Sequence, residues 1–138
     1  MFKIYKVNIY QIIFYYFIIF IFFIIGILVL FRIFNGPDKE PKWFMLIWLI
    51  GVFIIIYFYI QLPYKVILKE NKIEFKSIFF KKYLLLNDLV SIKSSLGMQL
   101  ISFNFNKKKI IMLNSINNLH ELITNIKKIN KKLFTVGC

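Results

Sequence analysis

The sequence predicts an α+β membrane protein with two transmembrane helices, a small antiparallel β-meander of about six strands and one C-terminal amphipathic helix. Three observations support this prediction. Two long uncharged apolar segments occupy the N-terminal part, alternating segments follow them, and the last apolar residues recur at helical spacing. The chain has 138 residues, of which 59% are hydrophobic, whereas a soluble domain has about 45–50%. An ordinary soluble globule is therefore excluded.

The first apolar segment is long enough to cross a bilayer. Residues 12–31 carry no charge, and about twenty helical residues span the roughly 30 Å hydrocarbon core. Backbone groups in lipid must be satisfied within the segment, so a helix is expected despite its β-branched and aromatic residues. The apolar run is too long for a cleavable signal peptide, and no small-residue cleavage site follows it. We predict a span at about residues 10–32.

A second span follows a loop that contains the Gly-Pro and Glu-Pro breakers. Residues 43–60 are uncharged, and we predict this span at about residues 43–61. Fourteen lysines and four acids follow Leu62, and the positive-inside rule places this part and the N-terminus in the cytosol. We therefore expect an integral protein of the bacterial cytoplasmic (inner) membrane, with residues 1–62 as the membrane domain and residues 63–138 as a cytosolic domain.

The cytosolic part begins with alternating strands. Lys72-Ile73-Glu74-Phe75-Lys76 places Ile73 and Phe75 on one face, which is typical of a half-buried strand. Similar segments recur to residue 113. The six predicted strands are Tyr64–Lys69, Lys72–Lys76, Phe79–Leu86, Val90–Ser94, Leu100–Phe105 and Lys109–Leu113.

The pattern then changes to the period of a helix. Asn117 or Asn118 is expected to cap this helix, and Glu121, three residues after Asn118, completes the pattern of a capping box. The apolar face predicted by this spacing contains Leu119, Leu122, Ile123, Ile126, Ile129 and Leu133.

These segments resemble a known family. The strand K-I-E-F-K-S, the basic strand F-F-K-K-Y-L-L-L, the segment N-D-L-V-S-I-K-S and the transition K-K-I-I-M-L-N-S-I-N-N-L-H-E-L-I together resemble the small bacterial pleckstrin-homology-like domains of membrane-anchored proteins. The resemblance covers about residues 63–132. It implies a strand meander capped by a helix, and it implies no ligand-binding residue, because no binding motif matches residue by residue.

The residues of catalysis are scarce in this sequence. His120 is the only imidazole and has no neighbouring partner that would position it as a base. Cys138 is the only thiol, and the six acids form no paired-carboxylate motif. We therefore expect no enzyme activity, no cofactor and no metal. We also expect no nucleic-acid partner, because the basic residues do not lie on a strand face lined with aromatic side chains, as in RNA-binding domains.

The lysines are the candidate binding residues. With 19 Lys and Arg against six acids, the net charge is +13. The abundance of Ile, Phe, Lys, Asn and Tyr is typical of an AT-rich coding bias, which also favours lysine. Leu62-Pro63 is the whole predicted linker, so a few residues, or about 10 Å, separate the domain from the bilayer. Each lysine near anionic lipid head groups contributes about 1 kcal/mol, and a solvated face that only enforces topology is the alternative. The candidate lipid-facing or partner-facing lysines are Lys107, Lys108, Lys109, Lys127, Lys128, Lys131 and Lys132.

Two glycines are candidates for a helix–helix contact. Gly26 and Gly51 fall at a similar depth, roughly 9–12 Å below the outer surface, where small residues allow helices to approach closely. Two unrelated, tolerated glycines are the alternative interpretation.

We predict a membrane-anchored, non-catalytic binding or scaffold protein. Its cytosolic domain is expected to contact a protein partner, a second copy of the chain or the anionic membrane surface. A bacteriocin-immunity or stress-resistance membrane protein is the first alternative, and a small oligomeric pore is the second.

Overall fold

The computed structural model describes residues 2–39, 41–95 and 100–137. The chain divides into two compact units. Residues Met1–Gln11 and Gln61–Cys138 form one, which we call the β unit, and Ile12–Ile60 forms the other, which we call the helical unit.

The helical unit contains most of two long apolar helices, α1 (Ile9–Asn35) and α2 (Lys42–Gln61). Residues 9–11 of α1 and Gln61 of α2 belong to the β unit. Both helices are long and apolar enough to cross a membrane, and only 6% and 11% of their most apolar stretches are buried. The core helix of a soluble protein would be mostly buried. Within this unit the rings of Tyr15 and Tyr59 lie 5.4 Å apart.

The β unit consists of two four-stranded sheets and a helix. The elements are β1 (Phe2–Lys6), β2 (Lys65–Lys69), β3 (Lys72–Lys76), β4 (Lys81–Leu85), a 3-10 turn (Leu86–Asp88), β5 (Leu89–Ser95), β6 (Leu100–Phe105), β7 (Lys109–Leu113), α3 (Leu119–Ile129) and β8 (Phe134–Val136). The first sheet has the strand order β1-β2-β3-β4, and the second has the order β7-β6-β5-β8. Neighbouring strands are antiparallel except β8, which runs parallel to β5.

The inward faces of the two sheets share one core. Phe75 on β3 is 1% exposed, and its ring contacts those of Phe103 and Phe105 on β6 at centroid distances of 5.1 and 6.1 Å. These edge-to-face contacts add to the free energy of burying the rings. The apolar face of α3 completes the core with Leu122 and Ile126, both fully buried.

Polar contacts join the C-terminal helix to the N-terminal strand. The buried Asn125 side chain donates a 2.8 Å hydrogen bond to the Tyr5 hydroxyl, and Lys3 Nζ lies 2.5 Å from Glu121 Oε1 at the surface. The contact with Lys3 lowers the pKa of Glu121, and the contact with Glu121 raises the pKa of Lys3. The pair is therefore charged at neutral pH, and its contribution to stability is lost as the pH falls through the lowered pKa of Glu121.

The α+β layout agrees with the sequence prediction, but the strand count does not. The described residues contain eight strands and not six, and the parallel β8 departs from a meander. The additional strands are β1 and β8. Residues 2–6 were predicted to be the flank of a span within a 1–62 membrane domain, whereas β1 pairs with β2 in the first sheet of the β unit.

The last helix also differs from its prediction. It ends at Ile129, because Asn130 is extended and its side chain donates to the carbonyls of Leu86 and Leu89. Asn118 is the N-cap in a left-handed conformation without a side-chain capping bond. Glu121 pairs with Lys3, and the predicted capping box is wrong.

Candidate functional site

Four lysines form one row across the first sheet. Lys6 pairs with Lys65, Lys65 pairs with Lys76, and Lys76 pairs with Lys81 in the antiparallel register. Strands lie about 4.8 Å apart, so the row extends about 14 Å from β1 to β4. We call these four residues the junction row. Lys6 and Lys81 are exposed, and Lys65 and Lys76 are half-buried.

The junction row is electrostatically unfavourable within the isolated sheet. Like charges directly opposite each other on neighbouring strands destabilise a sheet. Glu74 shares the face of the row, but it pairs with Lys69 at 3.3 Å. In the part of the chain that the structure describes, no ion pair joins a carboxylate to a lysine of the row. An external anion would therefore relieve this repulsion.

The row also lies where the β unit connects to both apolar helices. Val7 and Asn8 separate β1 from α1, and only residues 62–64 separate α2 from β2. These connections are ordered, because the Val7 N–H donates to the Tyr64 carbonyl at 2.9 Å and the Tyr64 N–H donates to the Lys76 carbonyl at 3.0 Å. At no more than about 3.6 Å per residue, Lys6 is within roughly 11 Å of the start of α1.

A tight hairpin with an apolar tip lies at the same end of the first sheet. Lys76 and Lys81 are the last pair of β3 and β4, and Ser77 closes the turn by donating its N–H to the Phe80 carbonyl at 2.8 Å. The side chains of Ile78, Phe79 and Phe80 are 44%, 70% and 45% exposed. We call these three residues the hairpin tip.

The lysines proposed from the sequence lie elsewhere in the β unit. Lys107 and Lys108 line a cavity with Leu84 and Asp88, toward the end of β4 opposite Lys81. Lys109 is exposed at the start of β7. The remaining four, which flank Asn130 at the C-terminal end of α3, are Lys127, Lys128, Lys131 and Lys132.

The position of Asn130 shows where the four lysines that flank it lie in the β unit. Its side chain contacts the carbonyls of Leu86 and Leu89, which follow β4. Both sequence-proposed clusters are thus near the connection from β4 to β5, away from the residues that lead to the apolar helices. We call Lys107, Lys108, Lys131 and Lys132 the distal lysines.

The two glycines of the apolar helices have different environments. Gly26 is buried, and a Cβ built on it would lie 3.8 Å from side-chain atoms of Leu49 and Val52 on α2. A Cβ on Gly51 would meet nothing within 4 Å among the described residues. Leu49 and Val52 are three residues apart on one helical face, and Gly51 lies on roughly the opposite side. Gly26 therefore packs against the side chains of Leu49 and Val52 and does not contact Gly51.

We predict opposite results for the same substitution at these two glycines. Gly26→Leu should destabilise the helix pair by about 1–3 kcal/mol, because the added side chain must displace Leu49 and Val52. Gly51→Leu should leave the stability nearly unchanged. Both tryptophans of the chain are on α2, so their fluorescence during denaturation in detergent measures this stability. Equal effects at the two positions would contradict the contact seen at Gly26.

Other chemistry-bearing residues form no cluster among residues 2–39, 41–95 and 100–137. His120 is exposed in the first turn of α3, and these residues contain no group of three or more His, Cys, Asp or Glu side chains that could hold a metal ion. Cys138 lies outside the described residues.

Comparison with protein-family models, with curated proteins and with solved structures finds no match to this chain.

The junction row was only partly predictable from the sequence. The predicted strands 64–69 and 72–76, on either side of Glu70 and Asn71, align Lys65 with Lys76. The third strand was predicted to begin at Phe79, whereas β4 begins at Lys81 and pairs this residue with Lys76. The position of the fourth member, Lys6, follows only from the pairing of β1 with β2. Both apolar helices separate these two strands in the sequence.

Proposed function

We propose that this chain is a non-catalytic integral protein of the bacterial cytoplasmic membrane, anchored by α1 and α2, whose β unit binds the anionic surface of that same membrane. Both termini and the β unit are cytosolic in this proposal. A pleckstrin-homology-like fold is part of it, based on the succession of strands followed by a C-terminal helix.

The junction row carries the proposal. Four lysines in register form a cationic line with no carboxylate partner among the described residues. The short connections keep this line within about 11 Å of the start of a membrane-crossing helix, which is comparable to the screening length of about 8 Å at physiological salt. Anionic head groups at that distance offset the repulsion within the row.

Lysine acylation of the full-length protein in nanodiscs tests this proposal. When phosphatidylglycerol replaces phosphatidylcholine, the acylation rates of Lys6, Lys65, Lys76 and Lys81 should each fall about fivefold, corresponding to about 1 kcal/mol per lysine near an anionic surface. The distal lysines serve as internal controls and should change little. Protection of the distal lysines alone, or no dependence on lipid charge, would overturn the proposed site.

The same chemistry tests the proposed orientation. A membrane-impermeant acylating reagent added to intact spheroplasts should modify Lys39, which lies between the two helices, and Lys42, the first residue of α2. It should modify the distal lysines only after permeabilisation. Modification of the distal lysines in intact spheroplasts would place the β unit outside the cell and contradict a cytosolic domain.

A further inference from the structure

The hairpin tip has an unusual composition for a turn. Tight turns usually contain Gly, Pro, Asn, Asp or Ser, which supply the required backbone geometry and tolerate water. Here the turn closed by Ser77 carries Ile78, Phe79 and Phe80 in succession, and Phe79 is 70% exposed. Three consecutive exposed apolar residues are unfavourable in water unless another apolar phase covers them.

The surroundings of the tip indicate which apolar phase this is. Lys76 and Lys81 flank the tip as the last pair of the junction row, and Lys82 follows on β4. Aromatic side chains bordered by lysines are typical of segments that lie in the interface of a bilayer, where rings enter the head-group region and ammonium groups bind phosphates. A protein partner would not require the tip to be close to the membrane-crossing helices.

Three chain segments therefore reach one end of the first sheet. The connections to α1 and from α2 leave from β1 and β2, and the turn of the hairpin projects from β3 and β4. Because these four strands are neighbours in one sheet, the Lys76–Lys81 pair at the base of the tip is within three strand spacings, or about 14 Å, of Lys6.

We propose that the hairpin tip inserts into the head-group and upper acyl region of the bilayer that α1 and α2 cross, as a third point of attachment for the β unit. This inference rests on the proposed function, because it requires the row to face the membrane. It makes Phe79 and Phe80 apolar anchors and the junction row their electrostatic complement.

Depth-dependent fluorescence quenching in the full-length protein tests the insertion. The only native cysteine is removed by Cys138→Ser, and Phe79→Cys provides the attachment point for an environment-sensitive nitrobenzoxadiazole probe. In vesicles of phosphatidylglycerol and phosphatidylcholine, shallow spin-labelled lipids should quench this probe. The matched control is Lys108→Cys with the same probe, which these lipids should not quench.

A second pair of variants tests the insertion with the probe at a neighbouring position, so that the native Phe79 is present in the reference protein. With the probe moved to position 78 through Ile78→Cys, Phe79→Ser should reduce the ratio of inserted to free tip about tenfold, since burying a phenylalanine side chain is worth at least that factor. Phe2→Ser provides a control, because Phe2 is also exposed but is at the other end of β1 from Lys6.

The outcomes separate this inference from the proposed function. Absence of quenching at position 79, with the lipid-dependent protection of the junction row retained, would overturn insertion alone. Loss of both signals would overturn the proposed function as well. A blue-shifted probe that lipid quenchers do not reach would place the tip against a protein surface and would also overturn insertion.

Discussion

Replacing all four lysines of the junction row with glutamine should change the stability of the β unit in opposite directions in two environments. In zwitterionic micelles the variant should be about 1 kcal/mol more stable, because three like-charged cross-strand pairs are removed at a few tenths of a kcal/mol each. In anionic nanodiscs it should be about 3 kcal/mol less stable, because about 1 kcal/mol per lysine of attraction to lipid is also lost. Hydrogen exchange of the β2 and β3 amides measures both changes.

The distal lysines provide the matched control for this prediction. Glutamine at Lys107, Lys108, Lys131 and Lys132 removes the same net charge from the same unit. That variant should respond alike in micelles and in anionic nanodiscs, apart from a small shift that high salt removes. A change of the same sign in both environments for the junction-row variant would contradict the assignment of the row to the membrane surface.

Phe75→Ala should destabilise the β unit by about 3–5 kcal/mol, which is the usual range for truncating a buried phenylalanine. Phe75 is 1% exposed, and its ring contacts Phe103 and Phe105 on the other sheet. The substitution therefore opens a cavity where the two sheets meet. Thermal unfolding in detergent, followed by the circular dichroism of the strands, measures the loss.

Phe79→Ala is the control within the same hairpin. Phe79 is 70% exposed, so its truncation should change the stability in detergent by no more than about 0.5 kcal/mol. A large loss of stability at Phe79 would mean that the hairpin tip is needed for folding. A small loss at Phe75 would contradict the shared core of the two sheets.

Local patterns predicted the elements whose partners are close in the chain. The span predictions of about 10–32 and 43–61 agree with α1 and α2 to within three residues, because hydropathy and length are properties of a single segment. The predicted strands 64–69 and 72–76 correspond to β2 and β3, which pair with each other as neighbours in the chain. Alternation of side chains specifies their buried face, which contains Ile73 and Phe75.

Elements with distant partners were not predictable in this way. The short segment Phe2–Lys6 is indistinguishable from the charged flank of a span until β2, which follows both apolar helices, pairs with it. The end of α3 depends on Asn130, whose side chain binds carbonyls more than forty residues earlier in the chain. Nothing in the residues around Asn130 specifies those partners.

The two apolar helices, the alternating strands and the C-terminal amphipathic helix follow from the order of residues within single segments. The excess of positive charge follows from the composition alone. The neighbours of each lysine are set by the folded structure. Strand register aligns Lys6, Lys65, Lys76 and Lys81, whereas the lysine runs that are conspicuous in the sequence lie near the connection from β4 to β5. A cationic surface depends on distances in space, and backbone pairing between strands that are remote in the sequence sets those distances.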